Sequence, residues 1–214
     1  MNASLVGHRA GPSPLSASRV ASLGALALGL VLTACTSVAG PSAGVTVVGT
    51  GPNVTPTFAC TPEAGGTPSP CTQSQYDAMK AKDALYAEAE AVYRKFVAED
   101  TKLLQTGGLA AGPVMDLIGG PFAPIYSDDK AHLHDQRILM SGSPSVAYVR
   151  PSQSALSHES DLALAACVDG RSMTATQDGE DAGKGIAVRS TVYFKRSEDR
   201  LRIWWFDGLK VDQC

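Results

Sequence analysis

The chain has 214 residues, with 18 Lys and Arg against 21 Asp and Glu, and a formal net charge of −3. That length is enough for one domain with a sizeable core. The mildly acidic balance argues against a nucleic-acid partner, and no polybasic run is present to hold an anionic membrane surface.

Residues 1–19 carry His8, Arg9 and Arg19 and no acid, and Val20 to Leu32 is apolar or small apart from Ser22. This is the positive n-region and short h-region of a secretory signal. It is too short to span a bilayer comfortably, which takes about 20 apolar residues. Leu32-Thr33-Ala34-Cys35 closes the run and resembles a bacterial lipobox, where a precursor is lipidated on cysteine and cut just before it. The motif implies that 1–34 is removed and that Cys35 carries a thioether-linked diacylglyceryl group. Two acyl chains hold stably, since each buried methylene contributes about 0.8 kcal/mol and one chain alone is marginal. The expected location is the extracytoplasmic face of the cell membrane. The alternative is an ordinary signal peptide cut at another small residue such as Ala39, with Cys35 discarded.

The chain has five cysteines, an odd number. Assigning Cys35 to lipid leaves Cys60, Cys71, Cys167 and Cys214, an even set for an oxidising compartment. Four cysteines allow three connectivities. The pairing adopted is Cys60–Cys71, across a short Gly/Pro loop, and Cys167–Cys214. Free buried thiols or a crossed pairing led by Cys60 are the alternatives. No C-x-x-C occurs, so zinc and thioredoxin chemistry have no support.

Residues 36–59 are small, polar or Val-bearing and uncharged, a composition that reads as a flexible tether of about 27 Å average reach. Residues 35–72 therefore form the anchor, tether and small Cys60/Cys71 loop, and 73–214 the folded domain. Thr72 and Gln75 have capping-box spacing. Beyond them Met79, Tyr86, Ala89, Tyr93, Phe96, Val97 and Leu104 recur on one helical face, flanked by Leu85, Val92 and Leu103. Gly107-Gly108 marks the C-terminus of this long helix. Pro113 can open a short helix running through Leu117 and Ile118 until Gly119-Gly120-Pro121 stops it, and Pro124 another through His132. The stretch 109–135 holds the densest polar set, Tyr126, Asp128, Asp129, His132, His134 and Asp135.

After 136 the pattern turns to strands. Ile138 to Ser141, Val146 to Val149, Leu162 to Val168 and Met173 to Thr176 are extended candidates, and 177–185 reads as a polar loop. In the last hairpin Ile186, Val188, Val192 and Phe194 share a face, as do Leu201, Ile203 and Trp205. A single even loop pairs Phe194 with Ile203 and Val192 with Trp205, and puts Tyr193 beside Trp204 and Thr191 beside Phe206. Arg189, Tyr193, Arg202, Trp204 and Phe206 then form a second, aromatic and cationic face, either of the kind enriched at interfaces or covered by a helix or loop of the same chain.

Helices first and antiparallel strands after is an α+β order. The long helix, two short ones and a curved sheet resemble the NTF2-like (cystatin-like cone) superfamily. Cys167-Val168-Asp169-Gly170, the loop Asp178-Gly179-Glu180-Asp181, the strand bearing Arg189, an aromatic last strand and a terminal cysteine resemble a group of secreted lipoproteins from high-GC Gram-positive bacteria. The resemblance covers about 73–214. It departs at Leu201, where that pattern usually has the last strand's tryptophan. It implies a cone-shaped domain on a lipid anchor, in a group whose members are mostly of unknown function.

Two chemical readings follow. A pocket between helices and sheet could perform proton transfer, as an isomerase or dehydratase on a small molecule, with Tyr126, Asp128 and His132 as the groups placed for it. No G-x-S-x-G, P-loop or dinucleotide glycine motif accompanies them. His132, His134 and Asp135 could bind metal only if both imidazoles shared a face, which a strand allows and a helix does not. The favoured expectation is a non-catalytic binding or interaction module, without metal or cofactor. It would meet the membrane through Cys35 and an envelope protein or small ligand through its aromatic face.

Overall fold

The computed structural model describes residues 57–62, 66–154 and 156–214. The leader, Cys35 and most of the expected tether lie outside these residues.

Strand β1 (Phe58–Cys60) pairs antiparallel with β2 (Ser69–Cys71), and the Cys60–Cys71 disulfide closes the ladder. Phe58 is buried, its ring centroid 5.2 Å from that of Tyr76. The tether expected over 36–59 thus gives way to strand at Phe58 and Ala59. A disulfide on one flank and an aromatic partner on the other give Phe58 a place to bury.

Helix α1 (Gln73–Thr106) starts at the expected capping box. The Gln75 N–H donates to Thr72 Oγ1 and the Thr72 N–H to Gln75 Oε1, which satisfies two orphan donors of the first turn. It ends at Gly107, whose φ of 62° is left-handed and suits a residue without Cβ. Its buried stripe is Ala89, Tyr93, Phe96, Val97 and Leu104, with Asp100 and Thr101 set into it. Thr101 Oγ1 donates to Val97 O at 2.8 Å, which removes the cost of burying that hydroxyl.

The Pro113 segment departs from expectation. Only Gly112–Val114 forms a short 3-10 helix. Ile118 instead bridges in parallel to Ile203, with the Ile203 N–H donating to Leu117 O and the Gly119 N–H to Ile203 O, both at 2.9 Å. An extended path lets Leu117 and Ile118 bury beside the last strand and gives that strand's edge its backbone partners. Helix α2 (Phe122–Asp135) begins two residues before Pro124 and runs past His132. Tyr126, Lys130 and Leu133 face inward at helical spacing.

Seven strands follow, β3 (Ile138–Ser141), β4 (Ser145–Pro151), β5 (Leu162–Asp169), β6 (Thr174–Gln177), β7 (Glu180–Lys184), β8 (Ala187–Ser197) and β9 (Arg200–Val211). They form two antiparallel sheets, β3-β6-β7 and β4-β5-β8-β9. The architecture is α+β, with α1 and α2 packed on the sheets. Tyr93 and Phe96 meet Leu164, Val192, Phe194 and Ile203 in the main core, and Leu104 and Leu133 meet Ile138, Met140 and Met173 in a smaller one.

Strand β7 lies inside the stretch expected to be loop. Asp178 and Gly179, at φ 52° and 88°, make a tight turn that pairs Gln177 with Glu180. Turn geometry rather than apolar alternation sets this polar edge strand, so hydrophobic patterning gives no sign of it.

The β8-β9 hairpin turns through Glu198 and Asp199, both at positive φ (52° and 61°), the geometry of a two-residue turn between twisted strands. Ser197 pairs with Arg200 and Phe194 with Ile203 as expected. The register then shifts between Phe194 and Tyr193. Trp204 is the extra residue of a β-bulge, so Tyr193 faces Trp205, Val192 faces Phe206 and Thr191 faces Asp207. The expected pairs Val192–Trp205, Tyr193–Trp204 and Thr191–Phe206 are corrected accordingly.

Cys167 of β5 is bonded to Cys214. Arg171 holds the same tail, bonding both Asp169 and the Asp212 carbonyl. That contact, first through its side-chain hydrogen bond, holds the Asp169 carboxyl down at about 2. Non-reducing peptide mapping should recover the 60–71 and 167–214 bridges; a 60–167 peptide or four free thiols would contradict both.

Candidate functional site

Asp100 lies four residues beyond Phe96 on the buried stripe of α1, and Tyr126 and Lys130 lie four apart on α2. Helix geometry therefore turns all three into one space. Tyr126 Oη donates to Asp100 Oδ1 at 2.7 Å, and Lys130 Nζ reaches the same oxygen at 3.0 Å. The ammonium also lies 4.9 Å from the Tyr126 ring centroid and 3.3 Å from Asp129 Oδ2. Asp100 is 0% and Lys130 2% exposed.

Burial and charge set the proton positions. Burial alone pushes the Lys130 ammonium down, but the Asp100 charge, then Asp129, more than offset it, so Lys130 is held above the usual lysine value. Burial, then the Asp100 charge and hydrogen bond, keep the Tyr126 phenol protonated far above its ordinary value. Burial first and Asp100 second do the same to Tyr93, against a smaller opposing effect of Arg94. Asp100 Oδ2 and the Tyr93 hydroxyl are buried without a hydrogen-bond partner.

A cleft of about 380 Å³ opens beside this cluster, between α2 and the β8-β9 strands. Phe96, Phe122, Ile125, Val188 and Phe206 supply its apolar walls. Phe122 and Phe206 stack with centroids 6.0 Å apart. Asp100, Tyr126 and Lys130 form its buried end, while half-exposed Ile125 and exposed Lys210 mark its outer end.

Of the proton-transfer set expected from sequence, only Tyr126 reaches the cleft. Asp128 and His132 are exposed, and His132 Nε2 lies 2.9 Å from Gln136 Nε2. An i+2 or i+6 offset from Tyr126 on α2 carries a side chain away from the face that Tyr126 presents. His134 Nδ1 donates to Gly107 O at 2.6 Å, and Asp135 is exposed. Because 132 and 134 lie on a helix, their imidazoles diverge, and the described residues contain no cluster of three metal-ligating groups.

The expected interaction face is divided by the bulge. Phe206 packs on the core and on Phe122. Trp205 instead lies opposite Tyr193, where His158 covers both, stacked on Trp205 at 4.6 Å and edge-on to Tyr193 at 5.1 Å. The Trp204 ring rests on Gly119, its Cζ3 3.3 Å from where a Cβ would be, and Lys195 Nζ lies 4.8 Å from its centroid. Arg202 is half-buried and bonded to Glu198. Arg189 is exposed in a broad polar groove with Arg150, Thr191 and Asp207. The chain's own loops thus cover most of the aromatic surface that the unbulged register would leave open.

The residues that sequence reasoning passed over are Asp100, Lys130 and Phe122. The signal was present, since Asp100 falls at i+7 from Tyr93 and i+4 from Phe96, a carboxylate inside an apolar stripe. Such a group needs a buried cation, and Lys130, four residues after Tyr126, supplies it.

No family model matches the chain, and no curated protein matches it. Among solved structures it is similar to the intermembrane space region of the chloroplast protein ARC6. The identity is 12% and the TM-score 0.37, over 56% of this chain and 96% of that one.

Proposed function

We propose that the chain is an extracytoplasmic lipoprotein, anchored through Cys35, whose 73–214 domain is an NTF2-like cone acting as a non-catalytic binding module. The anchor is supported by Leu-Thr-Ala-Cys at the end of a short apolar run. Extracytoplasmic placement is supported by two disulfides among the four remaining cysteines. No helix among the described residues is long and apolar enough to cross a membrane. Replacing Cys35 with Ala should release the protein or leave uncut precursor, read by membrane fractionation. Correctly cut, membrane-bound Cys35→Ala protein would remove the anchor from the proposal.

The observation that carries the binding role is an apolar cleft ending in a polar set that neutralises itself. Proton-transfer chemistry needs a group that gains and loses a proton near working pH. Here burial, then Asp100, keeps the proton on Tyr126, and against burial the Asp100 charge, then Asp129, keeps the charge on Lys130. A rigid, proton-locked floor suits recognition, since its orientation is set before a ligand arrives. The test is native mass spectrometry of protein released gently from membranes, beside an Ile125→Trp variant that fills the outer end. A small molecule that accompanies the first and is lost from the second supports the role. Identical spectra that lack any adduct overturn it.

A further inference from the structure

The outer face of the β4-β5-β8-β9 sheet carries groups that the cleft does not use. The register sets Arg150 opposite Ala165, Ala165 opposite Thr191 and Thr191 opposite Asp207, so these four share one face. Arg189 and Leu209 pair two residues further along and join that face by strand alternation. Leu164, Ala166 and Val192, next to Ala165 and Thr191 in sequence, point the other way into the main core. A groove of about 1100 Å³ lies over the outer face. Arg150 and Arg189 line it, and both are exposed, so a molecule from solvent meets them directly. Only β5 separates their strands, about 10 Å from β4 to β8, a gap that two arginine side chains can close on one group.

Charge narrows the chemistry. The charged residues lining the groove are Lys82, Arg150, Arg189, Asp161 and Asp207, three cations against two acids. Both carboxylates already have donors. Asp161 Oδ2 accepts from the Arg196 N–H at 2.7 Å, and Asp207 Oδ1 from Trp205 Nε1 at 2.8 Å. His158 Nε2 lies 3.9 Å from the other Asp207 oxygen. Neither Arg150 nor Arg189 has a carboxylate partner among the described residues. The Arg150 guanidinium is instead steadied over the Tyr148 ring, 4.8 Å from its centroid. The unmatched groups of the groove are therefore guanidinium donors, whose planar forks fit phosphate and carboxylate. Two forks outnumber the two oxygens of a carboxylate, whereas a phosphate monoester presents three. The volume exceeds what a phosphate alone would fill, so the ligand has a body. Ser152, Gln153 and Thr191 line the groove with side chains that both donate and accept, as hydroxyl groups require.

We propose that this groove binds a phosphate monoester on a hydroxyl-rich body, a sugar phosphate, with Arg150 and Arg189 on the phosphate and Ser152, Gln153 and Thr191 on the hydroxyls. The site is separate from the aromatic cleft, whose Val188 and Phe206 belong to the other face of the sheet, and it does not depend on that reading.

The test is calorimetry on the whole anchored protein in nanodiscs of phosphatidylcholine, which has no net charge. The probes are glucose 6-phosphate, glucuronate, glucose and glycerol 3-phosphate. One hydrogen bond to a charged group corresponds to roughly ten- to a hundredfold. Glucose 6-phosphate should therefore bind at least about tenfold more tightly than glucuronate, and glucose should not bind measurably. Arg150→Gln and Arg189→Gln should each weaken glucose 6-phosphate by about tenfold or more. Neither should alter the melt, since both side chains are exposed. Arg189→Lys keeps the charge but loses the fork, and should weaken binding as well. Arg94→Gln, outside the groove and paired with Glu90, should change nothing. Equal binding of glucose 6-phosphate and glucuronate would overturn the phosphate. A loss in Arg94→Gln as large as in the groove variants would overturn the location. Tighter glycerol 3-phosphate would overturn the sugar body in favour of a phospholipid headgroup. Failure of glucose 6-phosphate to bind would overturn the inference as a whole and leave the cleft untouched.

Discussion

Lys130→Met should destabilise the protein by about 3–5 kcal/mol, the range for breaking a buried ion pair from one side. Asp100 would then lie in an enclosure where it is 0% exposed, with one phenol hydrogen bond and no cation. Adding Asp100→Leu should recover most of that loss, because paired charges replaced by apolar groups of similar volume are often neutral. The comparison is a denaturant melt of the single and double variants. Additive losses would mean that the two side chains act separately, against the shared Oδ1 geometry. The same cluster sets an alkaline limit. Tyr126 and Lys130 have raised values in the folded state, so their contribution is complete below the unfolded values and is lost as pH rises through the folded ones. Stability should fall from about pH 10 upward, near where free tyrosine and lysine titrate. In the Lys130→Met, Asp100→Leu pair that alkaline fall should be shallower.

Features governed by local chemistry were readable from the chain. Thr72 with Gln75, and Gly107, bound α1 because capping depends on a few adjacent residues. The inward face of α1 follows from a period of 3.6 residues, and the number of disulfides, though not their pairing, from counting cysteines. β3 matches its expected span of Ile138–Ser141 because an apolar run met glycine on its far side. What escaped depends on distant partners. Leu117 and Ile118 suit a short helix until the unpaired edge at Ile203 offers them backbone hydrogen bonds. The polar strand β7 is specified by a turn alone. Parity placed Phe194, Leu201 and Ile203 correctly and failed from Trp204 onward, since alternation assumes that no residue is inserted. The same inserted residue explains why the aromatic face lost Phe206 to the cleft and gained Trp205. The core of the candidate site was half legible, as Tyr126 drew notice for its polar neighbours and Asp100 passed as one more charge on a long helix.

Gly120→Ala should cost about 2–5 kcal/mol, and its interaction with Trp204 tests the bulge directly. Gly120 has φ 53°, where a residue with a Cβ is strained by roughly 1–2 kcal/mol. A Cβ there would also overlap the Trp204 ring at Cε2, Cζ2 and Cδ2. Overpacking of that kind adds about 1–3 kcal/mol. The ring has little room to yield, since Gly119 lies against Cζ3 and Lys195 is over its face. Gly112 supplies the control, having φ 68° and nothing within 4 Å of a built Cβ. Gly112→Ala should show the backbone cost alone. In a Trp204→Ala background the steric part disappears, so Gly120→Ala should there cost no more than Gly112→Ala does. In the unbulged register Trp204 would lie opposite Tyr193, and Gly120→Ala would show no coupling to it. A double-mutant cycle with an interaction energy near zero would therefore restore that register, whereas about 1–3 kcal/mol of coupling places the Trp204 ring on the Gly119-Gly120 backbone.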